Sequence, residues 1–240
     1  MEKIPLSVLL NPQTGEIELS EEGILNIFEA CDASWLHDGN PEKPHAELTS
    51  GMCSNAFFDC LRVLKYPKLN ELLAQQLVRK MQESEGIGHV DWVIGSAYAA
   101  ITFSSEVAKI FGAQHGFVEK DPSDPSGKRM VWRRMTIPQY ATVLQVEELI
   151  TTFGTTQEVR RAILEGNSEQ ITFFKTIGAL VHRPPKLRDF YEDNYGNALH
   201  IVALIEKEVW AVKPEDCPLC KAGSPRYRPK THWKELTGKA

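Results

Sequence analysis

The amino-acid sequence predicts an α/β fold built on a parallel sheet, and three observations support this prediction. Between about residues 66 and 206, short apolar segments alternate with segments whose apolar residues recur at helical spacing. Such alternation is typical of βαβ units, whose helices cover both faces of a parallel sheet. The N-terminal third and the Pro-rich tail fall outside the alternation, and 240 residues lie within the reach of one domain. We therefore expect one domain over residues 1–240, with a core at about 66–206 and a small hood at about 15–65 and 207–240.

Five strands and three helices make up the predicted core. The strands are expected at 89–94, 114–118, 141–146, 171–181 and 200–205. The helices are expected at 68–83, 101–111 and 155–164. Gly112, after the second helix, is a typical C-terminal cap. Outside the core, Ser20 and the two acidic residues after it predict the start of a further helix. Residues 121–134 are polar and rich in Pro and Ser, which predicts a long surface loop.

Composition and charge argue against several classes of function. The formal net charge of −5 gives no general positive field, so we expect no nucleic-acid partner. No apolar run approaches the roughly 20 residues of a membrane helix, and residues 1–5 lack the apolar core of a signal peptide. The five cysteines are an odd number scattered over a long chain, unlike a secreted disulfide framework. We therefore expect a soluble, cytoplasmic protein without a membrane partner.

One segment combines the residue types that bind a sugar phosphate. Residues 143–156 form an apolar strand that runs into two carboxylates, Glu147 and Glu148, and then into a Thr-rich loop that enters a helix. Backbone N–H groups at a helix N-terminus, with Thr hydroxyls, bind phosphate, and Gly154 lets the backbone approach it closely. The two acids, expected at the strand end, are placed to accept hydrogen bonds from sugar hydroxyls. Either half alone could be a solvated strand end or an ordinary helix cap, but together they point to a ribose 5-phosphate.

This segment resembles the motif that binds 5-phosphoribosyl-1-pyrophosphate (PRPP) in type I phosphoribosyltransferases. That motif has four mostly apolar residues, two acids, two apolar residues and then Thr-Thr-x-Gly-Thr. The resemblance implies the family's parallel-sheet fold and catalytic roles for Glu147 and Glu148. It also implies PRPP binding by a 5-phosphate cradle and by a pyrophosphate loop after the first core strand. The cradle residues are Thr151, Thr152, Phe153, Gly154 and Thr155, and the loop residues are Gly95, Ser96, Ala97 and Tyr98. This chain departs from the motif at Phe153, where glycine is usual, and at the polar Gln145.

Three further stretches resemble orotate phosphoribosyltransferases. Residues 45–58 resemble that family's Leu-x-Ser-Gly-x-x-Ser segment with its aromatic pair, here Phe57 and Phe58. Residues 180–183 resemble the strand end whose arginine, here Arg183, meets the orotate carboxylate. Residues 217–225 resemble the tail of some bacterial members. The resemblance implies that these two phenylalanines and Arg183 contact the base. Arg183 could instead cap the end of the sheet or pair with an acid that follows it.

The sequence departs from orotate phosphoribosyltransferases at several cations. Thr49 stands where lysine is common, and Ala99 follows Tyr98 where some members have lysine. In the mobile catalytic loop Lys120 is kept, but a later lysine and a histidine have no clear counterpart. We predict a catalytic role for Lys120. The cations that follow could also face the pyrophosphate or could simply be exposed; they are Lys128, Arg129, Arg133 and Arg134.

These features predict a pentosyltransferase that moves the ribose 5-phosphate group of PRPP to a nucleobase, orotate or a related base, and releases pyrophosphate. The resemblance implies Mg²⁺ as cofactor, a role in nucleotide biosynthesis or salvage, and a homodimer in which the loop at 121–134 closes over PRPP. The missing cations keep two alternatives open. One is a catalytically weak sensor of PRPP or nucleotides on the same fold, and the other is an interaction module that binds no PRPP.

Cys217 and Cys220 have the spacing of half a zinc site. A second pair of ligands is missing from the nearby sequence, although His232 or one of the other cysteines could approach in space. The simpler interpretation is two small thiols in a turn, and we predict no metal ligand among the side chains.

Overall fold

The computed structural model describes residues 18–167 and 170–238. The helices are α1 (Glu21–Ala30), α2 (Leu61–Leu64), α3 (Pro67–Glu85), α4 (Ala100–Phe111), α5 (Gly154–Gly166), α6 (Pro218–Lys221) and α7 (Trp233–Thr237). The strands are β1 (Ser34–Leu36), β2 (His45–Glu47), β3 (Cys53–Ser54), β4 (Ala56–Phe58), β5 (Trp92–Gly95), β6 (Gln114–Phe117), β7 (Glu119–Lys120), β8 (Met130–Val131), β9 (Thr142–Ile150), β10 (Thr172–His182), β11 (Tyr191–Glu192), β12 (Ala198–Glu206), β13 (Ala211–Val212) and β14 (Arg226–Tyr227). Among these helices, none has both the length and the apolar character needed to span a bilayer.

The central sheet has the strand order β11-β12-β10-β9-β5-β6. The five longer strands are parallel, and only β11 joins the edge in antiparallel orientation. The predicted α/β fold with a parallel sheet is therefore confirmed. After β5 the chain first adds β6 on one side and then β9 on the other, so the strand order reverses between β5 and β9. In open α/β sheets ligands bind outside the carboxyl ends of the strands at such a reversal.

Helices cover both faces of this sheet. Residues of α1, α3 and α4 form the main apolar core with one face of the sheet, and α5 packs on the other face with Trp92 and Trp132. The predicted helices agree with α3, α4 and α5 to within a few residues. Gly112 ends α4 in the left-handed conformation, as expected for a C-terminal cap.

A second sheet, with the order β13-β3-β2-β14, joins the N-terminal and C-terminal segments into a hood. Strand β14 pairs in parallel with β2, and β13 pairs antiparallel to β3. Helix α1, which the sequence assigned to the hood, instead buries Ile24, Ile27 and Phe28 in the main core. The hood is therefore smaller than the range 15–65 suggests, and residues 15–17 lie outside the described part of the chain.

The segment 121–134 is more ordered than the sequence predicts. Met130 pairs with Lys120, so β7 and β8 form a two-stranded ribbon around a shorter loop. The Asp124 carboxylate accepts backbone hydrogen bonds from Ser126 and Arg129, which folds the loop tip on itself. Trp132 is buried. The prediction that the whole segment lacks regular structure was therefore wrong, because antiparallel pairing of β8 with the preceding strand β7 overrides the local Pro and Ser content.

Phe58 belongs to the core rather than to a binding surface. Its side chain is 4% exposed and lies edge-on to Phe28, with the ring centroids 6.1 Å apart. Phe57, the other expected base contact, is also buried and packs edge-on against Trp233 of α7. The expectation that Phe58 contacts a base is corrected, because the alternation along β4 turns this ring towards α1.

Phe58→Ala should therefore lower stability without a specific effect on base binding. Truncation of a buried phenylalanine leaves a cavity and typically costs about 3–5 kcal/mol. Urea unfolding measures this loss. Leu61→Ala is the control: Leu61 is 53% exposed on α2, and we expect a change within about 0.5 kcal/mol. A Phe58→Ala protein as stable as Leu61→Ala would contradict the core position of this ring.

Candidate active site

The two acids, Arg183 and the residues expected to bind PRPP gather at the carboxyl ends of β5, β9 and β10, whereas Lys120 lies on β7 and the two phenylalanines lie on β4. Strand β9 does not end at the two acids as the sequence suggested, but continues to Ile150. Glu147 and Glu148 therefore lie inside the strand and project from opposite faces of the sheet. Glu147 is 2% exposed, whereas Glu148 is only partly buried. The two carboxylates consequently have different surroundings, and the expectation that both lie at the end of the strand is corrected.

Glu147 is the end of a buried chain of hydrogen bonds. One carboxylate oxygen accepts from Ser96 Oγ at 2.5 Å and the other from Gln145 Nε2 at 2.8 Å. Gln145 Oε1 in turn accepts from Arg160 Nε at 3.2 Å, and Arg160 also donates to the carbonyl of Phe174 at 2.8 Å. The chain ties the loop after β5 to β9 and to α5. This chain of hydrogen bonds explains why the polar Gln145 lies inside an apolar strand. Gln145 was the sign in the sequence of a buried polar partner, but its partner, Arg160, was not predicted.

Burial raises the pKa of Glu147 to about 7. The Ser96 hydroxyl opposes this shift by donating to the carboxylate, and the nearby charge of Glu148 adds to it. Burial also raises the pKa of Glu148. The site thus holds one carboxyl that titrates near neutral pH inside the protein and a second that is open to a ligand.

Glu148 lies on the same side as Arg183. The backbone oxygen of Glu148 accepts from Cys60 Sγ at 3.3 Å, and the charges of both Glu148 and Arg183 act on that thiol. Arg183 follows β10, and its backbone N–H donates to the carbonyl of Ile150 at 2.8 Å. Its Nε is buried and has no hydrogen-bond partner, and within residues 18–167 and 170–238 no ion pair joins its guanidinium to Asp189. Burial lowers the pKa of Arg183, and among the described residues its guanidinium makes no ion pair at the sheet end.

The expected pyrophosphate loop follows β5 directly. Gly95 is its last strand residue, and a Cβ there would lie 2.3 Å from Ser104 Oγ, so only glycine fits. Ser96 is buried and held by Glu147. The peptide bond between Ala97 and Tyr98 is cis, and the Tyr98 ring is 74% exposed. The structure thus anchors one end of this loop and leaves the other end open.

The expected phosphate cradle lies at the N-terminus of α5. Helix α5 begins at Gly154, and Thr152, Gly154 and Thr155 are exposed there. A Cβ on Gly154 would meet no atom within 4 Å, so open space faces this helix end. Phe153 stacks on Tyr191 of β11, with the ring centroids 5.1 Å apart. The bulky residue at the usual glycine position therefore packs against the edge strand and does not fill the cradle. Thr151, the first residue of the cradle, is partly buried.

A cleft of about 800 Å³ separates this helix end from the β7–β8 ribbon. Lys120, Lys128 and Arg129 line one side of the cleft, and Thr152, Gly154 and Thr155 line the other. Arg129 is paired with Asp121 and Glu165.

The other cations of this segment differ in their partners. Arg133 pairs with Asp121 at 3.5 Å, and Arg134 pairs with Glu119 at 2.5 Å. In the described ranges, Lys120 and Lys128 make no ion pair through their ammonium groups. The structure therefore places two unpaired lysines across the cleft from the candidate phosphate cradle.

Solved structures of known proteins share this fold. The orotate phosphoribosyltransferase of Aeropyrum pernix superimposes with a TM-score of 0.52 at 16% identity, over 76% of this chain and 93% of that one. UMP synthase of Leishmania donovani gives a TM-score of 0.51 at 15% identity, over 79% of this chain but 37% of that one. The chain therefore has the fold of type I phosphoribosyltransferases. No protein-family model matches the chain.

Sequence relatives define the family more narrowly. Orotate phosphoribosyltransferase of Pelotomaculum thermopropionicum is 34% identical over 185 residues, which cover 77% of this chain and 87% of the relative. That of Desulforamulus reducens is 33% identical over 211 residues, which cover 88% of this chain and 97% of the relative. The chain belongs to the orotate phosphoribosyltransferase family.

Glu147→Gln should remove one source of pH dependence from stability. The carboxyl has its ordinary pKa of 4.5 in the unfolded chain and a pKa of about 7 in the folded chain. Between these values the folded chain holds a proton that the unfolded chain has lost, so the free energy of unfolding falls as pH rises. Glutamine does not titrate, and one pKa unit corresponds to about 1.4 kcal/mol. Between pH 4.5 and pH 7 we expect the free energy of unfolding of the wild type to fall by a few kcal/mol relative to that of Glu147→Gln.

Urea unfolding at a series of pH values measures this difference. Glu192→Gln, at an exposed position on β11, is the matched control and should follow the wild type at every pH. If the difference between Glu147→Gln and the wild type did not change with pH, the buried carboxyl would not be the titrating group.

Proposed function

We propose that this protein transfers the 5-phosphoribosyl group of PRPP to orotate and releases pyrophosphate, as a step of pyrimidine biosynthesis. The observation that carries the choice of base is Arg183, a partly buried guanidinium with an unpartnered Nε at the end of β10. A planar guanidinium matches a carboxylate such as that of orotate. The relatives reported above carry the names of enzymes, which favours transfer over the alternative of a sensor.

In the proposed reaction a base nitrogen forms a bond to C1 of the ribose while the bond from C1 to pyrophosphate breaks. Positive charge develops on the ribose ring and negative charge on the leaving group. Glu148 accepts hydrogen bonds from the ribose hydroxyls, and its charge stabilises the ring. Glu147 holds Ser96, and through it the pyrophosphate loop, in position. Lys120 and Lys128 supply positive charge to the leaving group from across the cleft.

We also propose Mg²⁺ as cofactor, and the donor set at the strand ends fits this ion. Mg²⁺ keeps several waters and binds through one or two carboxylates and the substrate phosphates. Glu148 is a partly buried carboxylate at this edge, and in the part of the chain that the structure describes no cluster of three or more ligating side chains includes it. The ion would be held mainly by PRPP and water close to the charge of Glu148, and it would neutralise charge on the pyrophosphate.

A cytoplasmic homodimer completes the proposal. The resemblance to orotate phosphoribosyltransferases supports a dimer in which the catalytic loop reaches the neighbouring site. Lys128 is exposed near the tip of the loop between β7 and β8. Its position supports the proposal that this loop closes over PRPP. Closure would exclude water from the reacting ring.

A panel of bases incubated with PRPP and Mg²⁺ tests the proposed function through pyrophosphate release. We expect turnover with orotate and little with adenine, guanine, hypoxanthine or uracil. PRPP binding without turnover of any base would instead support the sensor. Absence of PRPP binding would support the interaction module.

Glu148→Gln should weaken PRPP binding by about tenfold to a hundredfold, because a charge-assisted hydrogen bond contributes about 1.5–3 kcal/mol. Glu147→Gln is the comparison, because its amide can keep both partners, Ser96 and Gln145, and so its effect should be smaller. Calorimetric titration with PRPP and Mg²⁺ measures both. A larger loss in Glu147→Gln than in Glu148→Gln would reverse the roles proposed for the two acids.

Arg183→Lys should raise the KM for orotate by about tenfold or more, because lysine cannot make the bidentate contact. The affinity for PRPP measured without orotate should stay the same. Arg188→Lys, at an exposed position five residues on, is the control and should leave both values unchanged. An unchanged KM for orotate in Arg183→Lys would show that Arg183 only caps the end of the sheet.

A further inference from the structure

Four potential metal ligands meet in the hood, away from the candidate active site. They are His45 on β2, Cys53 on β3, Cys217 at the N-terminal cap of α6 and Cys220 within α6. One ligand atom from each lies within 4.8 Å of the others. The pairing of β2 with β3, and the parallel pairing of β14 with β2, bring the N-terminal pair to the Cys-x-x-Cys turn. The expected half-site therefore has its second pair of ligands.

The distances between these atoms match a tetrahedral metal site. Cys53 Sγ lies 3.5 Å from Cys220 Sγ. His45 Nε2 lies 3.6 Å from Cys217 Sγ and 3.4 Å from Cys220 Sγ. In a tetrahedral zinc site with Zn–S of about 2.3 Å and Zn–N of about 2.0–2.1 Å, sulfur atoms lie about 3.8 Å apart and sulfur lies about 3.6 Å from nitrogen. The four groups therefore already surround a volume of the right size.

The hydrogen bonds of His45 orient its free nitrogen towards the sulfur atoms. Nδ1 lies 2.8 Å from Ser224 Oγ, and that hydroxyl donates its single proton to the carbonyl of Lys43 at 2.6 Å. Ser224 must therefore accept from Nδ1–H. Nε2 then carries the lone pair and faces the three thiols. Metal-bound histidines commonly have this arrangement, in which a second group fixes the tautomer.

The surroundings also favour a metal over a single disulfide. His45, Cys53 and Cys217 are buried, and Cys220 is partly buried. A disulfide between Cys53 and Cys220 would leave Cys217 and the His45 lone pair without a role. Three thiolates and one Zn²⁺ carry a net charge of −1. Arg226 Nη1, 3.9 Å from Cys53 Sγ, is placed to offset it.

We propose that His45, Cys53, Cys217 and Cys220 bind one Zn²⁺ as a structural site. Sulfur and imidazole ligands in tetrahedral arrangement suit zinc, and four protein ligands leave no open position for chemistry. The other candidate, His232, is exposed and stacks on Tyr227, so it takes no part.

The metal would fasten the C-terminal tail to the hairpin formed by β2 and β3. The pairings β3–β13 and β2–β14 each comprise two residue pairs. The hood sheet is therefore short and has little apolar interior of its own. His45 and Cys53 flank the Ser-Gly turn at 48–52, and β4 follows. Because small units commonly depend on a metal for stability, the ion would hold this turn in place.

Metal analysis of the full-length protein, purified with reducing agent and without chelator, tests the site. We expect one zinc per chain, its release by a mercurial reagent, and a drop in Tm when a strong chelator is added. Cys217→Ser/Cys220→Ser should lose the zinc. Cys31→Ser, which changes a cysteine outside the cluster, should keep it.

His45→Cys keeps four ligands and should also retain zinc, so a zinc-dependent protein remains measurable if the double serine variant does not fold. Co²⁺ in place of zinc should give the intense visible bands of a tetrahedral thiolate site in the wild type and in Cys31→Ser. Three outcomes would overturn the proposal. They are wild-type protein without stoichiometric zinc after growth in zinc-supplemented medium, stoichiometric iron in its place, or a Cys53–Cys220 disulfide found by mass spectrometry.

Discussion

The buried carboxylate of Glu147 is the contact on which the candidate site depends. It joins the loop after β5, through Ser96, to β9 and, through Gln145, to Arg160 of α5. Burial of a carboxylate is costly unless hydrogen bonds replace its water. The hydrogen bonds from Ser96 and Gln145 offset part of this cost. The part that they do not offset raises the pKa of Glu147 to about 7. Because a slip of any member would leave a buried polar group unpaired, the loop after β5 and the N-terminal part of α5 keep one relative position.

Two adjacent acids in a strand serve opposite faces of the sheet. Glu147 faces α5 and the polar chain, and Glu148 faces the side of Cys60 and Arg183. Glu147 fixes the loop after β5 but is 2% exposed, so its carboxylate is not open to a ligand as well. The pair therefore separates positioning from binding. The same separation explains why the internal member can titrate near neutral pH without removing the charge that faces the ligand.

Local patterns in the sequence predicted the parallel strands and their helices, and the two segments expected to bind phosphate lie where these strands meet their helices. They did not predict features that depend on distant pairing. The chain from Gln145 to Arg160 needs the register of α5 on β9, and the burial of Phe58 needs α1 above β4. Similarly, Cys217 and Cys220 indicate a metal by spacing, but only the pairing of β2, β3 and β14 brings His45 to them.

The cations that line the cleft also bear on two lysines that occur in orotate phosphoribosyltransferases and are replaced here by Thr49 and Ala99. Arg129 lines the cleft but is held by acids, whereas Lys120 and Lys128 pair with no acid in the part of the chain that the structure describes. An exposed ion pair contributes only about 0–1 kcal/mol, and Arg129 is 58% exposed. It can therefore exchange a carboxylate for a pyrophosphate at small cost. The β7–β8 ribbon thus carries positive charge that the expected pyrophosphate loop lacks, and the departures from the family pattern are compatible with the proposed catalysis.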